Sequence, residues 1–148
     1  MKTIKGDLIQ MAKQGHFDVI CHGANCFCVM GAGIAKQIKY EYPEACIADR
    51  MTIKGDNSKL GTISYTHDID GVIVVNAYTQ YGYGRGGINC DYNAIRSCMK
   101  IIKEKFSDKR IGLPLIGAGL AGGDWNIIKQ IIEEELKGMD VTIVEFDK

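Results

Sequence analysis

Two stretches hold the residues whose types and spacing could do chemistry. The first is Met30-Gly31-Ala32-Gly33-Ile34. The second is Ile116-Gly117-Ala118-Gly119-Leu120-Ala121-Gly122-Gly123-Asp124-Trp125, with four glycines in seven residues. Glycines that dense, ahead of a helical pattern, let the backbone approach a ligand closely with its N–H groups outward. Two such loops could together hold a diphosphate at two helix N-termini. Near the first loop stand His22 and Asn25, and at the end of the second stands Asp124. Histidine titrates near neutrality, so His22 could pass a proton or attack phosphorus. Asp124 could orient a water beside a terminal phosphate. Each also has a plain structural reading: His22 as a hydrogen-bonded residue at a strand end, and Asp124 as the N-cap of the helix at Trp125.

The loops exclude some ligand types. Neither fits G-x-x-x-x-G-K-[ST], because Lys36 follows the first loop without a Ser or Thr. Gly117-x-Gly119-x-x-Gly122 matches the dinucleotide pattern G-x-G-x-x-G. It lies too near the C-terminus for a six-stranded dinucleotide domain to follow it. A further loop, Gln80–Gly87, adds Tyr81, Tyr83 and Arg85, with Asn89 just beyond; Arg85 could pair with a phosphate.

The elements that must present these loops are legible in order. Thr3–Lys5 reads as an edge strand, and Asp7 as N-cap of a helix over Leu8–Gln14. Phe17–Cys21 reads as a buried strand that His22-Gly23-Ala24-Asn25-Cys26 breaks. A helix follows the first glycine loop to about Glu41, and Pro43 opens another through Met51. Gly61–His67 and Val72–Tyr78 read as adjacent strands joined at Asp68–Gly71. Ile95, Cys98, Met99, Ile102 and Phe106 have helical spacing within 91–106. A strand over Arg110–Leu115, a helix from Trp125 to Leu136 and a strand over Val141–Phe146 complete the chain. Strands alternating with helices predict an α/β layered sandwich in one domain over residues 1–148.

Composition narrows the function further. The 148 residues carry 18 basic and 18 acidic side chains, so no general electrostatic grip on nucleic acid or an anionic membrane is expected. No apolar run approaches the length of a membrane span, and the N-terminus shows no signal-peptide core, which predicts a cytoplasmic protein. Cys21, Cys26, Cys28, Cys46, Cys90 and Cys98 include no Cys-x-x-Cys pair. Although His22 stands near three of them, reduced thiols and no metal are expected.

Four motifs in sequence resemble one family: Lys5-Gly6-Asp7-Leu8, Cys21-His22-Gly23-Ala24-Asn25-Cys26, Met30-Gly31-Ala32-Gly33-Ile34-Ala35, and Leu113-Pro114-Leu115-Ile116-Gly117-Ala118-Gly119-Leu120. Their order and spacing resemble the macrodomains, over essentially the whole chain. The likeness is to the branch of ADP-ribose 1''-phosphate phosphatases and ADP-ribosyl-glutamate hydrolases, in small phage or bacterial forms. It implies a three-layer α/β/α fold around a mixed, mostly parallel sheet of about six strands. It also implies a monomer that binds ADP-ribose or a derivative without a cofactor, in a bacterial or phage-infected host cytoplasm.

By the same resemblance, Asp7 and the Leu8 amide would meet the adenine, and Asn25 the distal ribose. Main-chain N–H groups of Gly31, Ala32, Gly33 and Ile34, and of Ile116, Gly117, Ala118, Gly119 and Leu120, would wrap the diphosphate and distal ribose. The phosphatase-type relatives also have a histidine just before the asparagine motif, as His22 stands here. On the residues themselves, and not by the resemblance, His22 and Asp124 are the candidate catalytic side chains, and Tyr81, Arg85 and Asn89 could cover the distal ribose or lie in a solvent-exposed loop. The glutamate hydrolases carry a lysine after the strand equivalent to Val72–Tyr78, where this chain has Asn76-Ala77-Tyr78-Thr79-Gln80. Nor does it have their aspartate after Gly-x-Gly-Leu, where Ala121 stands. A lysine-based covalent route is therefore not expected. The activity expected is that of a hydrolase removing the 1''-phosphate from ADP-ribose 1''-phosphate; the alternatives are hydrolysis of an ester, on ADP-ribosylated protein or O-acetyl-ADP-ribose, and ADP-ribose capture without turnover.

Overall fold

The computed structural model describes residues 1–84 and 88–146. Its frame is one six-stranded sheet in the order β1-β6-β5-β2-β4-β3. The strands are β1 (Lys2–Gly6), β2 (Val19–Asn25), β3 (Ile63–His67), β4 (Ile73–Gln80), β5 (Arg110–Leu113) and β6 (Asp140–Phe146). Every neighbouring pair is parallel except β3–β4, which the turn at Asp68–Gly71 makes antiparallel. Central strands of a parallel sheet are buried on both faces and so read as continuous apolar runs; β4 is buried along its length except at Gln80.

Helices α1 (Leu8–Lys13), α2 (Gly33–Glu41) and α3 (Pro43–Arg50) cover one face, and α4 (Tyr92–Phe106) and α5 (Trp125–Glu135) the other. The three-layer α/β/α expectation is thus met. On α4, residues Ala94, Ile95, Cys98, Met99, Ile102 and Phe106 are buried, a stripe recurring every three or four residues. They meet Ile128, Ile131 and Ile132 of α5 over Val19, Cys21 and Val75. On the opposite face Leu8, Ile9, Ile38, Tyr42 and Ala45 pack on Ile20, Val74 and Val144. Deleting one such side chain, for example Ile102→Ala, costs about 2–5 kcal/mol, because the cavity only partly collapses. Among the described residues no helix is long and apolar enough to cross a membrane.

One boundary differs from the sequence expectation in a way that matters. The second strand does not break at His22: β2 begins at Val19 and runs to Asn25. The reason is pairing. His22 lies opposite Asn76 and Gly23 opposite Ala77 in the β4 register, so a glycine and a histidine are held extended in the middle of the sheet. Conversely, the fifth strand stops at Leu113 rather than Leu115.

Candidate functional site

The five parallel strands all end at the same edge of the sheet. The chain leaving β2 turns to α2 and α3 on one face, and the chain leaving β5 turns to α5 on the other. Neighbouring strands whose connections diverge in this way leave a crevice at their carboxyl ends. Here β2 and β5 pair only at Val19↔Ile111 and Ile20↔Gly112 and then part. A cleft of about 660 Å³ opens beyond that point. Its floor is Gly23 and Ala24, its first wall runs through Asn25 and Val29–Ala35, and its second wall through Pro114–Gly117 and Gly119–Ala121. Gln80, Tyr83, Gly84 and Asn89 close one end.

The first wall is held by Asn25. Its Oδ1 accepts from the amides of Phe27 (2.9 Å) and Val29 (3.4 Å), and its Nδ2 donates to the Val29 carbonyl at 2.8 Å. One Nδ2 hydrogen stays available to a ligand. Further along, α2 starts at Ala32 with no side-chain cap. Gly33 there has φ +58°, which favours glycine because a Cβ would crowd the backbone. Among the described residues the amides of Gly31, Ala32, Gly33, Ile34 and Ala35 donate to no protein acceptor. Unsatisfied N–H groups and the positive end of a helix dipole therefore face the cleft, a favourable place for an anion.

The second wall is built differently. Ile116 and Ala118 spend their amides on the Pro114 and Leu115 carbonyls, at 2.7 and 3.1 Å. The amides of Gly122 and Gly123 fold back to Gly119 and Gly117. Gly117, Gly119 and Leu120 keep free amides among the described residues. So two of the five amides expected to wrap a ligand here, those of Ile116 and Ala118, are already committed, and Ala118 does not line the cleft. The Leu120 Cδ1 lies 3.3 Å from where a Gly33 Cβ would stand, so the two walls meet across the cleft at that point.

The expectation of two exposed helix N-termini is corrected: only α2 supplies one. Asp124 caps α5, its Oδ1 accepting from the Asn126 amide at 2.9 Å. The side chain is exposed and outside the cleft lining. His22 is also placed elsewhere. It is fully buried, on the face of β2 that packs toward α3. Its Nε2 donates to Asn76 Oδ1 at 2.6 Å, and Asn76 Nδ2 donates to the Ala45 carbonyl and to Ser64 Oγ. Nδ1 has no partner. Burial pulls the imidazole's pKa down, against the raising influence of the Asn76 bond and the Asp49 charge. A neutral histidine under the sheet surface, outside the cleft lining, is not positioned to attack a ligand there.

The remaining expected residues divide. Asp7 caps α1 through the Gln10 amide at 3.1 Å and Leu8 is buried; neither lines the cleft, although both follow β1 at the same sheet edge. Tyr81 turns away, its hydroxyl donating to the Gly55 carbonyl at 2.8 Å and its ring packing edge-on to Phe27. Asn89 lines the cleft, and Arg85 lies outside the described residues. Sequence reasoning missed Gln80, whose only signal was its place at the end of the apolar β4 run. Among the described lining residues none carries a group that ionises near neutral pH. The site offers amide N–H donors, the carboxamides of Asn25, Gln80 and Asn89, and the Tyr83 phenol. It can bind an anion and fix hydroxyl groups, and among the described residues its lining has no Asp, Glu, His, Cys, Lys or Arg.

Comparison with known proteins agrees with this architecture. The profile of the Macro domain family matches residues 21–132. The chain is similar to an uncharacterized 17.5 kDa protein of the tk-vs intergenic region of Enterobacteria phage T4. The two are 34% identical over 99% of this chain and 97% of that protein. A crystal structure of a Bacteroides thetaiotaomicron protein aligns with TM-score 0.82 and 27% identity, over 98% of this chain and 99% of that one. Thermosipho africanus DarTG, solved in complex with ADP-ribose, aligns with TM-score 0.77 and 18% identity over 97% of this chain and 40% of that one. A family profile spanning most of the chain, on a sheet that opens into a cleft between two glycine-rich walls, places this protein in the Macro domain family.

Proposed function

We propose that the cleft binds ADP-ribose or an ADP-ribose derivative. One observation carries the reading: the uncapped start of α2 and the free amides of Gly117, Gly119 and Leu120 line opposite sides of one cleft. A diphosphate held there needs no side-chain cation, since oriented N–H groups and a helix dipole supply the positive potential. The volume is in the range of small-molecule sites. A protein of the same fold, the Thermosipho DarTG, holds ADP-ribose. On this reading Asn25 meets the distal ribose with its spare amide hydrogen, and Asp7 and Leu8, after β1, mark the adenine end.

We further propose that the protein is a hydrolase of a distal-ribose substituent that works without a protein nucleophile. The burial of His22 and the capping role of Asp124 take support from their assignment as catalytic residues. A water held by the cleft amides, Asn25 and the substrate's own diphosphate is the nucleophile, so proton transfer falls to the substrate. Of the two leaving groups, the ester fits better than the 1''-phosphate. A phosphomonoester brings about 1.5 to 2 further negative charges, and no described lining residue is cationic. Capture without turnover is the second reading, favoured by the absence of Asp, Glu, His, Cys, Lys and Arg among those residues.

Calorimetry with ADP-ribose, together with turnover of O-acetyl-ADP-ribose and ADP-ribose 1''-phosphate by wild type, His22→Ala and Asp124→Ala, tests these readings. Binding with ester turnover that survives both substitutions is expected. Turnover lost in either variant while ADP-ribose still binds would restore that residue's catalytic role. Binding with no turnover leaves the capture reading, and no binding removes the function altogether.

A further inference from the structure

The sheet is irregular where it meets the closed end of the cleft. Along the parallel β2–β4 pair Ala24 stands opposite Tyr78, but Asn25 stands opposite Gln80, so Thr79 is an extra residue with no partner in β2. Such bulges are rare in parallel pairs, and they bend a strand and re-aim the side chains beside them. This one is held from more than one side. The Thr79 carbonyl accepts from the Asp91 amide at 2.7 Å, and Gln80 bridges to Cys90. A Cβ on Gly23 would lie 2.8 Å from Thr79 Oγ1, so a glycine is needed for β2 to pass the bulged side chain this closely. The arrangement is costly: Thr79 is fully buried, and among the described residues its hydroxyl has no partner. In an even register Thr79 would stand beside Asn25. The bulge gives that place to Gln80, which lines the cleft.

Gln80 is pinned there in one orientation. Its Nε2 donates to the Gly82 carbonyl at 2.8 Å, and among the described residues no donor reaches its Oε1. Asn25 is the reverse case, with its oxygen spent on the Phe27 and Val29 amides and one hydrogen left to offer. The paired residues thus present an acceptor and a donor side by side, where the walls of the cleft offer free amide donors. An acceptor next to a donor matches a hydroxyl group, which donates to one and accepts from the other. It does not match an ionised phosphate, whose oxygens only accept. Against such an oxygen the Gln80 carbonyl is left unpaired and repelled.

We propose that Gln80 is a specificity-determining residue. Its Oε1 accepts from a hydroxyl of the terminal ribose, so the cleft prefers a nucleotide that ends in a neutral sugar over one that ends at its diphosphate. The inference rests on the cleft reading above and deepens it. The amides of the two walls serve the diphosphate of ADP and of ADP-ribose alike, so they do not choose between the two. Nor does Asn25 choose, because its N–H serves a phosphate oxygen as well as a hydroxyl. The choice falls to Gln80, and the bulge at Thr79 is what brings it there.

The test is calorimetry with ADP-ribose and with ADP on wild type, Gln80→Leu and Gln80→Glu, with circular dichroism to check each fold. Wild type is expected to bind ADP-ribose at least about tenfold tighter than ADP. Gln80→Leu is of similar size without a polar atom, and it should lower that ratio by about tenfold, with the loss falling on ADP-ribose. Gln80→Glu keeps an acceptor and adds a charge, so both ligands should weaken while the ratio stays at or above the wild-type value. Equal wild-type affinities, which need no variant to observe, overturn the proposal and leave the diphosphate site standing. So does a Gln80→Leu protein that loses affinity for both ligands alike, the result of a merely structural role through the Gly82 bond. A ratio that collapses in Gln80→Glu as it does in Gln80→Leu also overturns it, because the acceptor is then not what selects. If wild type binds neither nucleotide, the cleft reading fails and the inference fails with it.

Discussion

The two glycine-rich walls look alike as sequence and are used differently by the fold. In the first, Gly31 to Ile34 open α2 with no capping side chain, so that run of amides stays free for a ligand. In the second, α5 is closed by Asp124, and several of the loop's groups serve the loop itself. Gly123 is there for packing: a Cβ on it would lie 2.4 Å from Cys90 Sγ and 2.6 Å from the Gly117 carbonyl oxygen. Gly119 is the opposite case, with open space where its Cβ would be. A glycine between a strand and a helix therefore has two explanations, close packing behind or ligand approach in front, and both occur within five residues of one loop.

Substitutions that separate these uses test the comparison, and the largest effect belongs to packing. Gly123→Ala forces a methyl against backbone and sulfur, so it should cost about 3 kcal/mol or more, visible as a lowered denaturation midpoint. If the midpoint stays near wild type, the tight-packing account of that glycine is wrong. Next come the ligand-facing positions. Gly119→Val should leave stability within about 0.5 kcal/mol while weakening ADP-ribose by at least tenfold, about 1.4 kcal/mol. Ala32→Asp should act similarly on binding by placing a carboxylate on the free amides, and should raise stability by about 0.5–1 kcal/mol as a new N-cap. Undiminished affinity in both variants would remove α2 and Gly119 from the binding site.

The reverse experiment on the other helix is smaller. Asp124→Ala removes a cap and should lower stability by about 1 kcal/mol, leaving ADP-ribose affinity unchanged. A large affinity loss would mean that α5 belongs to the site after all. Smallest is the pH dependence of His22. Its folded pKa is lowered by burial, so below the ordinary value near 6.5 the unfolded chain takes up a proton that the folded one resists. Stability from this residue is complete above about pH 6.5 and declines as pH falls from there toward the folded pKa. Urea titrations of wild type and His22→Gln between pH 7.5 and pH 5 should show a steeper acid loss in wild type. Parallel curves would argue that His22 is not the neutral buried residue described here.

Most of the frame was legible because it follows from local rules. The stripe on α4, the apolar run of β4, the caps Asp7 and Asp124 and the turn before β4 each show a recognisable pattern within one element. The site was legible only in part. Asn25, the first glycine loop and Gly119 line the cleft, whereas Ala118 and Tyr81 do not. Which amides of a loop remain free depends on how that loop folds on itself. Whether an aromatic ring faces a cleft depends on what else, such as Phe27 and Gly55, is there to receive it.

His22 marks the division most clearly. The residue types near it, a histidine, a glycine and an asparagine after an apolar run, were enough by themselves to suggest a strand reaching a site. Periodicity, capping residues and glycine density, all short-range properties, were likewise enough for an α/β sandwich with two ligand-approaching loops. What those properties do not contain is the partner of each residue. Pairing with β4 extended β2 through His22 to Asn25, and the two-residue alternation of a strand then turned the imidazole beneath the sheet toward Asn76 and Ala45. Only the tertiary structure decided that, because a strand's end and the face each side chain takes are set by neighbours distant in the chain.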